Sequence, residues 1–168
     1  MRIDLTPCLD FKDVLIQPRR TTLLSRSQVN LLRIFKFKYS KKIIQCIPII
    51  ASNMDSTGTF KVYEVLSKYK MLTCLNKFIT PKMFKDYQAE CKQNKKQYLD
   101  PDLFMISIGI RDKNYEMKRL IEIMNITNCS WICVDVANAH MQSVVEYCRN
   151  IRKKFPNKII MVGNVGVG

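Results

Sequence analysis

A carboxylate, an amino group and several amides stand at the ends of apolar runs, where side chains meant for chemistry are held firmly. Asp135 interrupts the otherwise apolar run Trp131-Ile132-Cys133-Val134-Asp135-Val136. A carboxylate there must be paired, hydrated or used, because burying a bare charge is costly. Lys77 follows Met71-Leu72-Thr73-Cys74-Leu75-Asn76. An ammonium and a carboxylate on one rim can pair, or can hold a polar ligand between them. Asn53 and Asn164 stand in the same kind of position after other runs, and Asn138 closes the run that carries Asp135. Taken singly, each has a plainer reading. Asp55 to Thr59 can open a helix, as can Asn138; Lys77 can be a solvated loop lysine; Gly58, Gly109 and Gly163 can serve turns.

Sulfur chemistry is the other candidate. The seven cysteines are Cys8, Cys46, Cys74, Cys91, Cys129, Cys133 and Cys148. Their number is odd and no CxxC pair occurs, which does not suit the disulfide framework of a small secreted domain. Cys129 and Cys133 with the lone His140 leave a zinc ion short of a ligand pair. No metal is therefore expected, and the cysteines read as reduced, small apolar side chains.

Five apolar runs position these residues: Ile47–Ser52, Met71–Leu75, Leu103–Ile108, Trp131–Val136 and Ile159–Val162. They are continuous rather than alternating, as in strands buried on both faces. Amphipathic stretches separate them. Val62, Leu66 and Tyr69 form one stripe; Met83, Phe84, Tyr87 and Cys91, behind a Thr80-Pro81 start, form the next. Met117, Leu120, Ile121 and Met124 make a third, and Met141, Val144, Val145, Cys148, Ile151 and Phe155 a fourth. Alternating strand and helix predicts an α/β fold with a parallel sheet, either open and doubly wound or a (β/α)8 barrel. No GxGxxG follows the first strand, which disfavours a dinucleotide-binding open sheet. Every polar candidate then falls at a strand's carboxyl end, the face where barrels carry their sites. Residues 1–46 read as an N-terminal extension with a short β-ribbon around Arg33–Tyr39, and residues 47–168 as the barrel portion.

The chain has 168 residues, enough for one domain, and a net charge of +14 from 28 Lys+Arg against 14 Asp+Glu. Such a field attracts nucleic acid, acidic lipid or a phosphorylated small molecule. The basic clusters at Arg19-Arg20, Lys41-Lys42, Lys95-Lys96 and Arg152–Lys154 read as solvated surface. No apolar stretch reaches the roughly 18 residues of a membrane span. The opening MRIDLTPCLDFKDV has no apolar signal core, so a cytoplasmic location is expected.

The longer motifs resemble a known family. Leu9-Asp10-Phe11-Lys12-Asp13-Val14-Leu15-Ile16-Gln17-Pro18-Arg19-Arg20, then Thr22–Ser27 with its Ser25-Arg26-Ser27, resemble the opening of guanosine monophosphate (GMP) reductases. Pro48-Ile49-Ile50-Ala51-Ser52-Asn53-Met54-Asp55, Trp131–Asn138 and Gly163-Asn164-Val165 continue the match in order. The related inosine monophosphate (IMP) dehydrogenases usually insert a regulatory domain after the second helix, and Asn76–Asp102 is too short to hold one. The resemblance implies a (β/α)8 TIM barrel, here about its first five steps. It implies NADPH-dependent reductive deamination of GMP to IMP and ammonia by a homotetramer. A cysteine thiolate would attack the purine carbon bearing the amino group, and hydride from the nicotinamide would follow.

By the same resemblance, Lys77 and Asp135 assist hydride transfer and line the NADPH site with Val136 and Ala137. Ser25 and Arg26 reach the cofactor of a neighbouring subunit, where an arginine suits phosphate. Asn53, Met54 and Asn164 lie near the nucleotide. The family's nucleophilic cysteine loop and potassium site follow the sixth strand, beyond Gly168, and none of the seven cysteines matches that nucleophile. This chain alone is therefore expected not to reduce GMP. The family's two histidines flanking the second-strand lysine are Asn76 and Phe78 here, and the segment after the fourth strand reads Asn138-Ala139-His140. Competing readings are an inactive fragment or pseudoenzyme, an IMP dehydrogenase, and a basic nucleic-acid binder using Phe35-Lys36-Phe37-Lys38-Tyr39.

Overall fold

The computed structural model describes Pro7 and residues 9–166. Cys8 lies outside the described residues, as do Val167 and Gly168 of the closing segment. The chain forms two compact units, Met1–Asn30 and Leu31–Gly168. In the first, short 3-10 turns cover Phe11–Asp13 and Arg26–Gln28. Ser25 caps the second turn, and the Gln28 side chain reaches back to the amides of Leu24 (2.9 Å) and Ser25 (3.3 Å). This reciprocal capping fixes a short turn that has no core of its own.

The second unit opens with an antiparallel hairpin of β1 (Arg33–Lys36) and β2 (Ile43–Cys46). Its turn passes through Lys41 in the left-handed region, φ 55°. The ribbon foreseen at Arg33–Tyr39 is thus one arm of a longer hairpin, and it is grouped with the barrel strands. Phe37 stands edge-on to Trp131 with ring centroids 5.0 Å apart. Lys42 donates to Ser130 Oγ at 2.9 Å and lies 3.9 Å from Asp102. Half of the Lys41-Lys42 pair is therefore a half-buried tether rather than solvated surface. The hairpin meets the start of the strand that follows Ser130, at the amino-terminal end of the sheet.

Five parallel strands follow in sequence order: β3 (Ile50–Ala51), β4 (Leu72–Leu75), β5 (Phe104–Ile108), β6 (Trp131–Asp135) and β7 (Ile159–Gly163). Helices α1 (Phe60–Leu66), α2 (Pro81–Gln93), α3 (Lys113–Thr127) and α4 (Gln142–Lys154) connect them. This is an α/β architecture with the parallel pairing expected from the apolar runs, and its curled half-barrel sheet follows the barrel alternative that the family resemblance implied. The first run shrinks from Ile47–Ser52 to two residues. Pro48 has no N–H to give a ladder, and the Ile47 amide bonds to Lys70 O at 2.8 Å instead.

The register gives each strand an inside and an outside. Cys74 pairs with Met105, Met105 with Trp131, Ser107 with Cys133, and Asp135 with Gly163. Paired residues share a face and side chains alternate, so Cys74, Ser107, Cys133 and Asp135 lie on one side. The other side carries Phe104, Ile106, Ile108, Ile132 and Val134, all buried. Phe104 meets Tyr63 of α1 and Phe84 of α2 at 6.1 and 6.3 Å. Caps set the helix starts: Thr59, Thr80 and Asp112 side chains accept the amides of Val62, Met83 and Tyr115. The start of α1 is thus Thr59, not Asp55. Of the foreseen stripes, Phe84, Tyr87, Cys91, Leu120, Met124, Val144 and Ile151 are buried, whereas Met83, Met141 and Val145 face solvent.

Candidate active site

The carboxyl ends of the strands carry one polar rim, assembled from the backbone upward. The loop after β3 is locked to the end of β4 through Gly58. Its amide donates to Met54 O at 2.7 Å, and its carbonyl accepts from the Asn76 amide (3.0 Å) and Asn76 Nδ2 (2.9 Å). A Cβ on Gly58 would stand 2.5 Å from Cys74 O and 2.9 Å from Asn76 N. The glycine is there for close approach and not, as its sequence context suggests, for a turn conformation. Asn76 is buried and its Oδ1 also accepts from the Phe78 amide at 3.0 Å. In this chain that position works as a brace between two loops.

The lock presents Asn53 to the centre of the rim. Its Nδ2 donates to Ser107 Oγ and to Asp135 Oδ2, both at 2.9 Å. One amide thus joins the β3 loop, β5 and β6. The buried-carboxylate problem of Asp135 is met by this amide. The Lys77 ammonium lies 5.7 Å from the centroid of the adjacent Phe78 ring, a cation–π arrangement. Lys77 and Asp135 nevertheless line the same cleft, of about 820 Å³, together with Val136, Ala137, Asn138 and Gly109. Asn164 is tied to this edge by backbone bonds, its amide to Val136 O (2.6 Å) and its carbonyl from Ala139 N (2.9 Å). Met54 is exposed in the locked loop. Ser25 and Arg26 belong to the unit Met1–Asn30 and are described there.

Sequence reading missed the group that supports the rim from behind. Arg119 is 4% exposed, inside the apolar stripe of α3. It binds Glu116 Oε2 through Nε (3.2 Å) and Nη2 (3.1 Å), and donates to Ile79 O (2.9 Å) and to Ser107 O. One guanidinium therefore fixes the turn after β5 and the loop after β4, using the fork geometry that lysine lacks. Its one local mark in the sequence is the glutamate at i−3, which a solvated helical arginine carries as well. Arg111, Tyr115 and Thr80 are also on the cleft wall; the sequence marks Thr80 only as a helix start.

Beneath the rim sit Cys74 and Cys133. The neighbouring Cys133 thiol, and then burial, push the Cys74 thiol far above its ordinary value. Of the six described cysteines five are buried and Cys148 is half-buried, and none lines the cleft. Among the described residues no group of three or more His, Cys, Asp or Glu could hold a metal ion. No described helix is long and apolar enough to cross a membrane. Phe37, turned onto Trp131, is withdrawn from the aromatic–basic platform that a nucleic-acid binder would need.

Comparison with known proteins shows the family and the fold. A family model described as the IMP dehydrogenase / GMP reductase domain matches residues 8–168. A GMP reductase of Buchnera aphidicola from Schizaphis graminum is 41% identical over the whole chain, covering 46% of its own length. GMP reductase 2 of Bos taurus is 39% identical over 95% of the chain and 44% of its own length. The chain thus spans about half the length of these relatives. An inosine 5′-monophosphate dehydrogenase structure from Legionella pneumophila superposes with a TM-score of 0.69 at 22% identity, over 94% of this chain and 44% of that one. That likeness bears on the fold.

Proposed function

We propose, for a chain that belongs to the IMP dehydrogenase / GMP reductase domain family, that it forms the cofactor-facing part of a GMP reductase. The reaction would be the NADPH-dependent conversion of GMP to IMP and ammonia. The observation that carries this reading is the Asn53 amide, which bonds Ser107 and fixes Asp135 on the wall of the cleft that Lys77 also lines. GMP reductases at 38–41% identity along 95–100% of the chain support it. The cleft fits the cofactor's chemistry: Lys77 and Arg111 supply positive charge for phosphates, Tyr115 and Phe78 supply rings, and Val136 supplies an apolar wall.

When bound, NADPH would supply the hydride. Asp135, held at fixed orientation by Asn53, would accept a hydrogen bond from the amide end of the nicotinamide or from the purine. Lys77 would place a positive charge beside the reacting pair, where preorganised charge is worth most. Val136 and Ala137 would exclude water from one side. Met54 and Asn164, at the two ends of the rim, would flank the nucleotide, and Ser25-Arg26 would meet the cofactor of another subunit in a homotetramer. The nucleophilic thiolate and a potassium ion would come from residues beyond this chain, in the cytoplasmic enzyme.

The test is calorimetric titration of the chain with NADPH. We expect saturable binding that weakens at least tenfold in Lys77→Met. We expect Asp135→Asn and Asn53→Leu to lower the turnover of an enzyme completed by a relative's remaining half. Binding unaffected by Lys77→Met would overturn the assignment.

A further inference from the structure

A second cavity, of about 310 Å³, opens between α1, α2 and residues 96–103. It is lined by the carboxyl end of α1 and the segment after α2. Helices run antiparallel to the strands they connect, so this cavity lies toward the amino-terminal end of the sheet, opposite the rim. Its volume falls at the lower limit for small-molecule sites, about 300 Å³.

Three tyrosines form its wall: Tyr63, Tyr87 and Tyr98. Tyr87 and Tyr98 stand 6.1 Å apart at 41°. Phe60 stacks on Tyr87 at 4.3 Å and 1°, fixing that ring. Two of the phenols are satisfied: Tyr63 accepts from the Asp100 amide at 2.6 Å, and Tyr87 donates to Glu64 at 3.1 Å. The third is not, for the Tyr98 hydroxyl is buried with no hydrogen-bond partner. Burial holds that phenol protonated, its pKa pushed up to about 12, so at neutral pH it has a proton to donate. Lys96 is engaged by Glu64 (3.4 Å) and Glu90 (3.9 Å). Lys68 and Lys70 also line the cavity, are exposed, and have no ion-pair partner among the described residues.

We infer that this cavity is a second ligand site, for a planar heterocycle carrying a phosphate, of nucleoside monophosphate size. Fixed aromatic faces favour a flat ring. Glu64 offers an acceptor to an exocyclic amine such as that of adenine, and the idle Tyr98 hydroxyl offers a donor to a ring nitrogen. Lys68 and Lys70 supply charge for a phosphate, and as flexible point charges they suit an anion at an open mouth. None of these residues touches the rim, so the site stands apart from the proposed reductase chemistry.

The probe is AMP, titrated calorimetrically into the full 168-residue chain, with adenosine and inorganic phosphate as its two halves. The inference expects one saturable AMP site, at least tenfold tighter than either half. The exposed double variant Lys68→Ala/Lys70→Ala should weaken AMP at least tenfold while its circular dichroism stays unchanged. Tyr98→Phe should leave the ligand-free thermal midpoint unchanged or higher and still weaken AMP, which separates a binding hydroxyl from a structural one. Asp135→Asn should leave AMP affinity as it was, whatever it does to NADPH. The inference is overturned by no saturable AMP binding to folded chain, by phosphate binding as tightly as AMP, by affinity untouched in the lysine double variant, or by affinity lost in Asp135→Asn.

Discussion

Asn53 and Arg119 carry the rim from opposite sides, one through Asp135 and the other through Ser107 O. Arg119→Met would strand Glu116 with its carboxylate largely buried, and breaking a buried pair costs about 3–5 kcal/mol. The paired variant Glu116→Gln/Arg119→Met should regain part of that loss in urea unfolding; equal stability of both variants would refute the pairing. Gly58→Ala should cost roughly 1–3 kcal/mol, because its Cβ would meet backbone that cannot swing away. Cys129 gives a pH signature. Burial pushes its thiol from 9.0 up to about 12. The unfolded thiol then ionises first, so stability is fully present below pH 9 and falls as pH rises from 9 toward 12. Urea midpoints at pH 8, 9 and 10 should show that decline, and Cys129→Ala should make it shallower, the remainder coming from other raised thiols such as Cys74. Asp135, Lys77 and Asn53 were legible in the sequence as polar residues ending apolar runs. Arg119 was not, because a buried arginine on a helix is written like a solvated one until its distant carbonyl partners are known.

Among the elements, β4 to β7 were legible because doubly buried parallel strands leave unbroken apolar runs. The brevity of β3 was written in Pro48, whose missing donor outweighs the hydrophobicity around it. The partner of the hairpin was not legible, since nothing local to Phe37 or Lys42 names Trp131 or Ser130. Their contact makes the hairpin a cover for the amino end of β6. Phe37→Ala should remove about 2 kcal/mol, combining lost burial with an aromatic pair worth about 0.5–1.5 kcal/mol. Trp131 is the only tryptophan, so its emission reports the same event. A red shift in Phe37→Ala is expected, and emission identical to the parent would mean that the hairpin does not shield the ring.

At the scale of the molecule, β3 and β7 are the two edges of the five-stranded sheet. Beside β7 an apolar groove of about 720 Å³ runs between Val144, Val145 and Cys148 of α4 and Ile160 and Val162. The 168-residue polypeptide should therefore bind a hydrophobic dye and associate. Association should grow from 50 to 500 mM salt, as the self-repulsion of a +14 charge is screened. A monodisperse monomer at high salt, by sedimentation, would contradict this. The same polypeptide should not oxidise NADPH in the presence of GMP, since no described thiol faces the cleft; turnover that disappears in Cys133→Ala would disprove it.

Strand order has a further consequence, for how the chain is born. Each strand from β4 onward pairs with the one made just before it, so a nascent chain emerging at about 5–20 residues per second never waits for a distant partner. The Asn53 clamp closes on Ser107 first and on Asp135 second. The clamp of Asn53, Ser107 and Asp135 is thus able to close once residue 135 has cleared the ribosome, whereas Asn164, at the far end of the rim, joins it only after β7 has emerged.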